Sequence, residues 1–254
     1  MSTIISRKVT MPSVGIISGT IPLHEEEIFR YMKKTVVKTE FGNALIFVSE
    51  MAAFIPRHGV DADRSIPPHM INHPANLKAL QDMGVKEVIG INSTGSLKRE
   101  LKPGTIIIPD DYISTSVTPT IFHDNAIHTI PIIDEGIRKR LIQTSENLGI
   151  NALKNGVYWQ TAGPRLETKA EIRMISQFAD IIGMTMASEA IIAAELELSY
   201  SGICSVDNYA NGIVEKPLVP DEIRKGARKN ARNMMEIVKK YVSEFPDSGK
   251  GKTG

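Results

Sequence analysis

The chain has 254 residues, of which 42% are hydrophobic and 23% are charged. This is the composition of an ordinary globular protein, and a chain of this length can bury a sizeable core in one domain. Its 30 basic and 29 acidic residues give a formal net charge of +1, which argues against strong electrostatic attraction to nucleic acid or to an anionic membrane.

The cysteine content and the N-terminal segment indicate the compartment. The single cysteine, Cys204, excludes an internal disulfide and fits a reducing environment. The opening residues MSTIISRKVT lack the apolar segment of a signal peptide, and no apolar run approaches the length of a membrane span. We therefore expect a cytoplasmic protein that does not bind membranes.

Short apolar runs rich in Ile and Val alternate along the chain with longer helical patterns. Buried strands are predicted at 14–18, 44–49, 88–91, 105–109, 180–184 and 202–206. Helices are predicted at 74–83, 134–148, 167–178, 188–198 and 221–245, with Gly84 and Gly149 at the positions of C-terminal caps. This order predicts a single α/β domain over 1–245, with a central mixed, twisted β-sheet flanked by helices, and a disordered polar tail over 246–254.

Small polar residues or an Arg-His pair follow three of the strand-like runs. Ser18, Gly19 and Thr20 follow the first run, Arg57 and His58 follow a stretch near 51–55, and the segment 92–96 follows the run at 88–91. Any one of them could be an ordinary turn or surface pair. Hydroxyl groups, backbone N–H groups and an arginine fork all suit phosphate, and ligand sites of open α/β sheets gather at strand ends. Together these segments predict an anion site assembled from several loops.

Three later segments are further candidates, each with a plain structural alternative. Glu167 opens a predicted helix within AGPRLET, where an acidic residue could serve only the helix dipole. Met184 leaves a predicted strand within GMTM, and a methionine there is more often part of the core. Asn208 lies in SVDNYANG, whose Asn-Gly pair could simply form a turn.

Taken in order, these segments resemble the trimeric branch of the purine nucleoside phosphorylase and methylthioadenosine phosphorylase family. The resemblance runs from Val14 to Val238 and rests on RHG at 57–59, INHPAN at 71–76, GSL at 95–97, AGPRLET at 162–168 and GMT with Glu189 from 183 to 189. It implies the nucleoside phosphorylase fold and the phosphorolysis of a purine nucleoside. Inorganic phosphate would be the co-substrate, and neither a metal nor an organic cofactor would be needed.

The resemblance also implies a role for each matching residue. The phosphate-binding positions are Thr20, Arg57, His58, Ser93 and Thr185. Met184 matches the methionine that packs on the ribose, and Glu167 and Asn208 match the catalytic positions that bind the purine. Substrate contact is also assigned to Asp207, where the family often has threonine; its carboxyl group could change the protonation of the leaving base or cap a loop.

The family's quaternary structure supplies one further expectation. The loop from Phe122 to His128 corresponds to one that reaches into the site of a neighbouring subunit. The resemblance therefore implies a homotrimer or a dimer of trimers.

The candidate base-binding residues favour a 6-oxopurine such as hypoxanthine or guanine. The carboxylate of Glu167 can accept a hydrogen bond from N1–H, which adenine lacks, and the amide of Asn208 can donate to O6 or N7. Relatives that prefer adenine tend to have aspartate at the position of Asn208, a second aspartate at that of Ala210, and serine at that of Glu167. Relatives that prefer a free 5′-hydroxyl often have a histidine where this chain has 218–220, so 5′-methylthioinosine is a second candidate substrate.

Several alternatives stay open at this point. The chain could be a 5′-methylthioadenosine phosphorylase, a nucleosidase that uses water, or a catalytically silent nucleoside-binding protein. Cys204 could be a nucleophile, although its apolar strand favours inert packing. The histidines lack the spacing of a zinc site, so no metal is expected.

Overall fold

The computed structural model describes residues 12–19, 31–115, 117, 119–215 and 217–245. Thr20 and the predicted tail at 246–254 lie outside this range. The strands are β1 Val14–Ser18, β2 Lys33–Thr39, β3 Gly42–Val48, β4 Ala52–Pro56, β5 Glu87–Ser96, β6 Ile106–Ile107, β7 Asp111–Ser114, β8 Ala152–Leu153, β9 Val157–Gln160, β10 Ile181–Gly183 and β11 Ser199–Tyr209. The α-helices are α1 His73–Asp82, α2 Glu135–Asn147, α3 Lys169–Ile175, α4 Met186–Glu195 and α5 Pro220–Glu244.

The described strands form one mixed sheet, which confirms the predicted fold class. Its main path runs β2-β3-β4-β1-β5-β10-β9-β7, and β11 pairs with β5 and β6. Strands β4, β1, β5 and β11 are parallel to one another, whereas β10 pairs with β5 in the antiparallel sense. The carboxyl ends of the parallel strands therefore lie at one edge of the sheet, where ligand sites form in such folds.

Helices cover both faces of this sheet. On one face, Leu77 of α1 and Ala190 of α4 belong to a core cluster that contains Ile17 of β1. On the other face, Leu141 of α2 and Val238 of α5 belong to a cluster that contains Ile16 of the same strand, since neighbouring strand residues point to opposite faces. Cys204 is fully buried in the first cluster, as its apolar surroundings predict. None of the described helices is long and apolar enough to span a membrane.

Local capping signals fix where the helices begin and end. Asn72 and Asp134 accept hydrogen bonds from Ala75 N and Ile137 N at the starts of α1 and α2. Gly84 and Gly149 have φ of +82° and +67° just beyond the ends of these helices, as the sequence predicts.

The predicted start of α3 is wrong by two residues. Thr168 is its N-cap, in a capping box with Glu171, and the helix begins at Lys169. Glu167 therefore lies before the helix, in the preceding loop, and serves neither as its cap nor in its first turn.

The buried His73 predicts a loss of stability in acid. Burial, followed by the positive charges of Arg57 and His58, lowers the pKa of this side chain to about 3. The unfolded chain would take up a proton near pH 6.5 and the folded chain would not, so the free energy of unfolding falls as the pH drops from about 6.5 toward 3. The loss from this residue is at most about 1.4 kcal/mol per pH unit.

Urea unfolding of the wild type and His73→Gln at pH 7 and pH 5 measures this contribution. The variant should lose less stability between the two pH values, whereas His69→Gln, at an exposed histidine, should behave as the wild type does. An equal loss in His73→Gln and the wild type would show that His73 does not carry the effect.

Candidate active site

A cleft of about 190 Å³ lies where the carboxyl ends of several strands meet the starts of helices. It is lined by Arg57, His58, Pro68, Ser93, Thr94, Gly95, Leu166, Glu167, Ile182, Gly183, Met184, Thr185, Asn208, Ala210, Leu218 and Ile223. The structure thus brings seven of the predicted site residues to one cleft: Arg57, His58, Ser93, Glu167, Met184, Thr185 and Asn208. Their binding roles stay predictions.

Arg57 is held in the wall of the cleft by a buried ion pair. Its Nε lies 2.7 Å from Glu189 Oε1, and its Nη2 donates to Glu189 Oε2 at 3.1 Å. The guanidinium also donates to the backbone oxygens of Ile91 and Ile17, at 2.8 and 3.1 Å. Since a guanidinium has five N–H groups, these contacts leave one N–H on Nη1 without a partner among the described residues.

Glu189 is completely buried and is held from two sides. Tyr200 donates its hydroxyl to Glu189 Oε2 at 2.8 Å, opposite the contacts from Arg57. Burial raises the pKa of Glu189, and the charge of Arg57 acts against that shift. The pair therefore fixes the guanidinium in one orientation.

His58 is the neighbouring candidate, and its surroundings favour a neutral ring. Burial is the main cause that lowers its pKa; a hydrogen bond to Ile66 acts in the opposite sense, and Arg57 lowers the pKa further. Its Nδ1 lies 2.7 Å from Ile66 O, which can only accept, so we assign the proton to Nδ1. Nε2 is then an acceptor, and a Cβ at Gly19 would lie 2.8 Å from it, so a side chain at 19 would collide with this ring.

The start of α4 lies at the cleft, where Thr185 is part of the lining. Thr185 precedes the helix, and the N–H groups of Thr185 and Met186 lie 3.2 and 3.4 Å from the hydroxyl of Tyr158. The Thr185 hydroxyl donates to Asn92 Oδ1 at 3.2 Å. A helix start with hydroxyls beside it favours negative charge, so this end of the cleft suits an anion.

Glu167 and Asn208 line the same cleft as these groups. Glu167 is 8% exposed, and its Oε1 accepts a bond from the Thr161 hydroxyl at 2.6 Å, which orients the carboxyl group. The Asn208 Nδ2 donates to Tyr209 O at 2.8 Å, and it lies 3.2 Å from where a Cβ of Gly95 would be. An acceptor and an amide are thereby presented to a ligand beside the anion end.

Met184 packs against the turn that precedes Glu167. A Cβ on Gly163, which has φ of +64°, would lie 2.5 Å from Met184 Sδ. The absence of a side chain at 163 therefore lets the turn approach the methionine, and Met184 keeps its place in the wall of the cleft.

Asp207 does not line the cleft, and its sequence-based assignment to direct substrate contact stays a prediction. Its carboxyl lines a separate small cavity behind the cleft, toward α5, and is 4% exposed. Asn208 lines the cleft and Asp207 lines the small cavity, on either side of an irregularity in the register of β11. Asp207 can influence a ligand only through the residues between them.

The loop that contains Phe122 and His128 does not line the cleft of its own chain. It is attached to α4 through Glu195, which accepts bonds from the Thr120 hydroxyl and Ile121 N at 2.8 and 2.7 Å. Phe122 is half-buried, and His128 is exposed.

Sequence reasoning missed the partners that hold these residues in place. Tyr200 and Asn230 belong to no motif that the sequence singled out, and Glu189 was named only as part of the segment 183–189, with no partner assigned to it. One signal was available for Glu189: it is the charged residue in SEAIIAA, a helical run otherwise composed of small and apolar residues. A charge in such a run needs a buried partner.

Comparisons with known proteins agree with this arrangement. Residues 13–243 match the model of the phosphorylase superfamily. A probable 6-oxopurine nucleoside phosphorylase of Archaeoglobus fulgidus is 44% identical over 236 residues, which cover 91% of this chain and 96% of the relative. A probable S-methyl-5′-thioinosine phosphorylase of Methanocaldococcus jannaschii is 34% identical over 91% of this chain and 92% of its own length.

A solved structure shows the same fold. The methylthioadenosine phosphorylase from Schistosoma mansoni, in complex with adenine, superposes with a TM-score of 0.80 over 91% of each chain, at 24% identity. On the strength of the family match and of the similar relatives, the chain belongs to the phosphorylase superfamily, in the group of purine nucleoside and methylthioadenosine phosphorylases.

Proposed function

We propose that the protein cleaves the glycosidic bond of a 6-oxopurine nucleoside with inorganic phosphate, to give the free base and a ribose 1-phosphate. One observation carries the proposal: an anion-binding end and a carboxylate-amide pair line the same cleft. The anion end consists of Arg57, His58, Ser93 and Thr185, and the pair is Glu167 with Asn208. The names of the two relatives described above refer to substrates of this class.

The arrangement can stabilise both charges that develop in such a reaction. As the glycosidic bond lengthens, the sugar becomes positive, and a phosphate held by Ser93, Thr185 and the start of α4 would lie beside it. The departing purine becomes negative, so a hydrogen bond from Asn208 to O6 or N7 strengthens toward the transition state. Contacts that strengthen in this way accelerate the reaction. The proposal needs phosphate as co-substrate and no metal or organic cofactor.

The carboxylate-amide pair supports a preference for hypoxanthine and guanine. Thr161 occupies one oxygen of Glu167, and the other is placed to accept from N1–H. Adenine has no hydrogen at N1, and its amino group would meet the donor of Asn208. An adenine nucleoside would therefore leave buried polar groups unpaired, which costs affinity.

Apolar side chains favour a second substrate, 5′-methylthioinosine. With the ribose on Met184, its 5′ end would face Pro68, Leu218 and Ile223, which line the remaining wall. An apolar wall stabilises a methylthio group better than a hydroxyl group. The name of the Methanocaldococcus jannaschii relative refers to this same substrate.

The assembly and the compartment are further parts of the proposal. We infer a cytoplasmic homotrimer or dimer of trimers in which the loop from Phe122 to His128 reaches the cleft of a neighbour. Exposed Ile127, Ile130 and Ile132, at 52%, 86% and 67% exposure, support a contact surface near this loop. Sedimentation equilibrium should give three or six times the monomer mass, and a monomer mass at micromolar concentration would contradict the assembly.

The reaction itself is tested with inosine, guanosine, adenosine and the two 5′-methylthio nucleosides, each with and without phosphate. Hypoxanthine and guanine should be released only with phosphate, and adenosine should be nearly inert. Cleavage without phosphate would make the protein a nucleosidase, and no cleavage with any nucleoside would favour a binding protein.

The same panel of nucleosides tests which 5′ substituent of the sugar the protein prefers. Leu218→His should lower the ratio of kcat/KM for 5′-methylthioinosine over inosine by about tenfold, the effect of one small apolar group in a pocket. Val219→His, at a residue that is 41% exposed and outside the cleft lining, should leave the ratio unchanged. Equal ratios in all three proteins would remove Leu218 from the 5′ site.

Substitutions of the carboxylate-amide pair test the base. Asn208→Asp should lower kcat/KM for inosine by about 10²-fold, since the donor to the departing base is lost, and raise the ratio of adenosine to inosine. Glu167→Gln should lower kcat/KM for inosine with less effect on adenosine.

Asn147→Asp on the surface of α2 makes the same chemical change away from the cleft and is the control. An unchanged ratio of adenosine to inosine in Asn208→Asp would exclude the assigned role of Asn208.

A further inference from the structure

Asp207 is a buried carboxyl group with one satisfied and one unsatisfied oxygen. Its Oδ1 accepts bonds from the Ser205 hydroxyl at 2.7 Å and from Asn230 Nδ2 at 2.8 Å. Its Oδ2 has no hydrogen bond of ordinary geometry among the described residues. A buried, unpartnered carboxyl oxygen is costly, so it calls for a role.

Ser93 lies between this carboxyl group and the cleft. It lines the cleft on one side, and on the other side it lines the small cavity of about 10 Å³ that Asp207 also lines. The side chain of Ser93 is close enough to lower the pKa of Asp207 through a hydrogen-bonding interaction. Ser93 therefore connects Asp207 with the anion end of the cleft.

The protonation state of Asp207 decides how a hydroxyl between it and an anion can bond. An ionised carboxylate only accepts, so it would draw the Ser93 proton and leave oxygen lone pairs toward the cleft. A protonated carboxyl group can donate to Ser93 Oγ, and the Ser93 proton is then free to bond to an anion. The two states present opposite polarity to the same ligand.

We propose that Asp207 is a positioning residue for the anion end of the cleft, and that its protonated carboxyl group turns the Ser93 hydroxyl toward the bound anion. This inference rests on the proposed function, because it takes the anion to be the phosphate co-substrate. Asp207 itself does not touch substrate. Binding of the anion and retention of the Asp207 proton are therefore coupled.

The surroundings of Asp207 favour its neutral form. Burial raises its pKa, while the neighbouring Ser93 side chain and the hydrogen bonds from Ser205 and Asn230 act in the opposite sense. These neighbours, from β5, β11 and α5, are all neutral, and no described cation pairs with the carboxyl group. A dianion on the far side of Ser93 would repel an ionised carboxylate and favour the proton further.

Other titratable and charged groups lie nearby and must be separated from Asp207. The Cys204 thiol on β11 has a pKa raised by burial and stays neutral, and Arg57 and Glu189 compensate one another across the cleft. His58, whose pKa burial lowers, is the other group that can titrate as an anion binds. On α5, Lys225, Arg228 and Arg232 are exposed to solvent.

Sulfate binding between pH 5.5 and 8.5 tests the proposal, because sulfate stays a dianion throughout, whereas phosphate changes its charge. Wild-type affinity, measured by isothermal titration calorimetry, should fall as the pH rises and Asp207 loses its proton. In Asp207→Asn, Oδ1 can keep both of its donors while the amide donates to Ser93 at every pH. This variant should bind sulfate about tenfold more tightly than the wild type at pH 8.5, the effect of one hydrogen bond to a charged group.

The Ser93→Ala variant tests the same proposal from the side of the hydroxyl group, with Asp207 unchanged. It should lose about tenfold in sulfate affinity at pH 5.5 and little at pH 8.5, where the wild-type hydroxyl already points away from the ligand. In the Ser93→Ala background, Asp207→Asn should have a much smaller effect than in the wild type, because only the repulsion between the Asp207 carboxylate and sulfate is then removed. His58 is unchanged in the wild type, in the two single variants and in the double variant. Its contribution to the pH dependence of sulfate binding therefore cancels in this double-mutant cycle.

Asp82→Asn, which removes an exposed carboxylate on α1, is the matched control and should bind sulfate as the wild type does. An effect of Asp207→Asn that is equally large without the Ser93 hydroxyl, or a wild-type pH dependence that Ser93→Ala leaves intact, would overturn the inference. Either result, with phosphate-dependent nucleoside cleavage intact, would leave the proposed function standing. Cleavage that needs no phosphate, together with an absence of sulfate binding, would overturn both the inference on Asp207 and the proposed function.

Discussion

The buried ion pair between Arg57 and Glu189 is the interaction on which the geometry of the cleft depends. It joins the end of β4 to α4, and through Ile17, Ile91 and Tyr200 it also contacts β1, β5 and β11. Burying two charges is costly, and the cost is offset only where their remaining hydrogen bonds are satisfied. Here two backbone oxygens and one hydroxyl satisfy most of them. Loss of either partner would leave an unpaired charge at the point where four strands and a helix meet.

The same pair sets the electrostatic character of the anion end. Glu189 compensates the charge of Arg57, and the lowered pKa of His58 favours a neutral imidazole. The proposed anion site therefore carries little net positive charge. An ionised carboxylate at Asp207 would find little charge there to offset its own, and burial raises the pKa of Asp207 in the same sense.

Sequence predicted the parts of this structure that local patterns determine. Apolar runs located β1 and β11, capping residues located α1 and α2, and polar segments at strand ends located most of the cleft. Sequence could not separate the positions of Asp207 and Asn208, because a motif gives position along a strand and not the face to which each residue points. The pairing of Glu189 with Arg57 and of Asn230 with Asp207 was missed because long-range pairing leaves no local pattern, and the role proposed for Phe122 and His128 depends on a second chain.

The register of β11 explains how one strand can serve both ends of the cleft. Val206 pairs with Thr94 and Asn208 with Gly95, so Asp207 is an extra residue at a register shift between them. The shift places Asn208 over Gly95 at the cleft, while Asp207 turns back toward α5. Asn230 of α5 then donates to both Val206 O and Asp207 Oδ1, at 3.0 and 2.8 Å. A single amide on α5 therefore holds both the backbone next to Asn208, the candidate base-binding residue, and the carboxyl group of Asp207. A displacement of this helix would change the positions of both together.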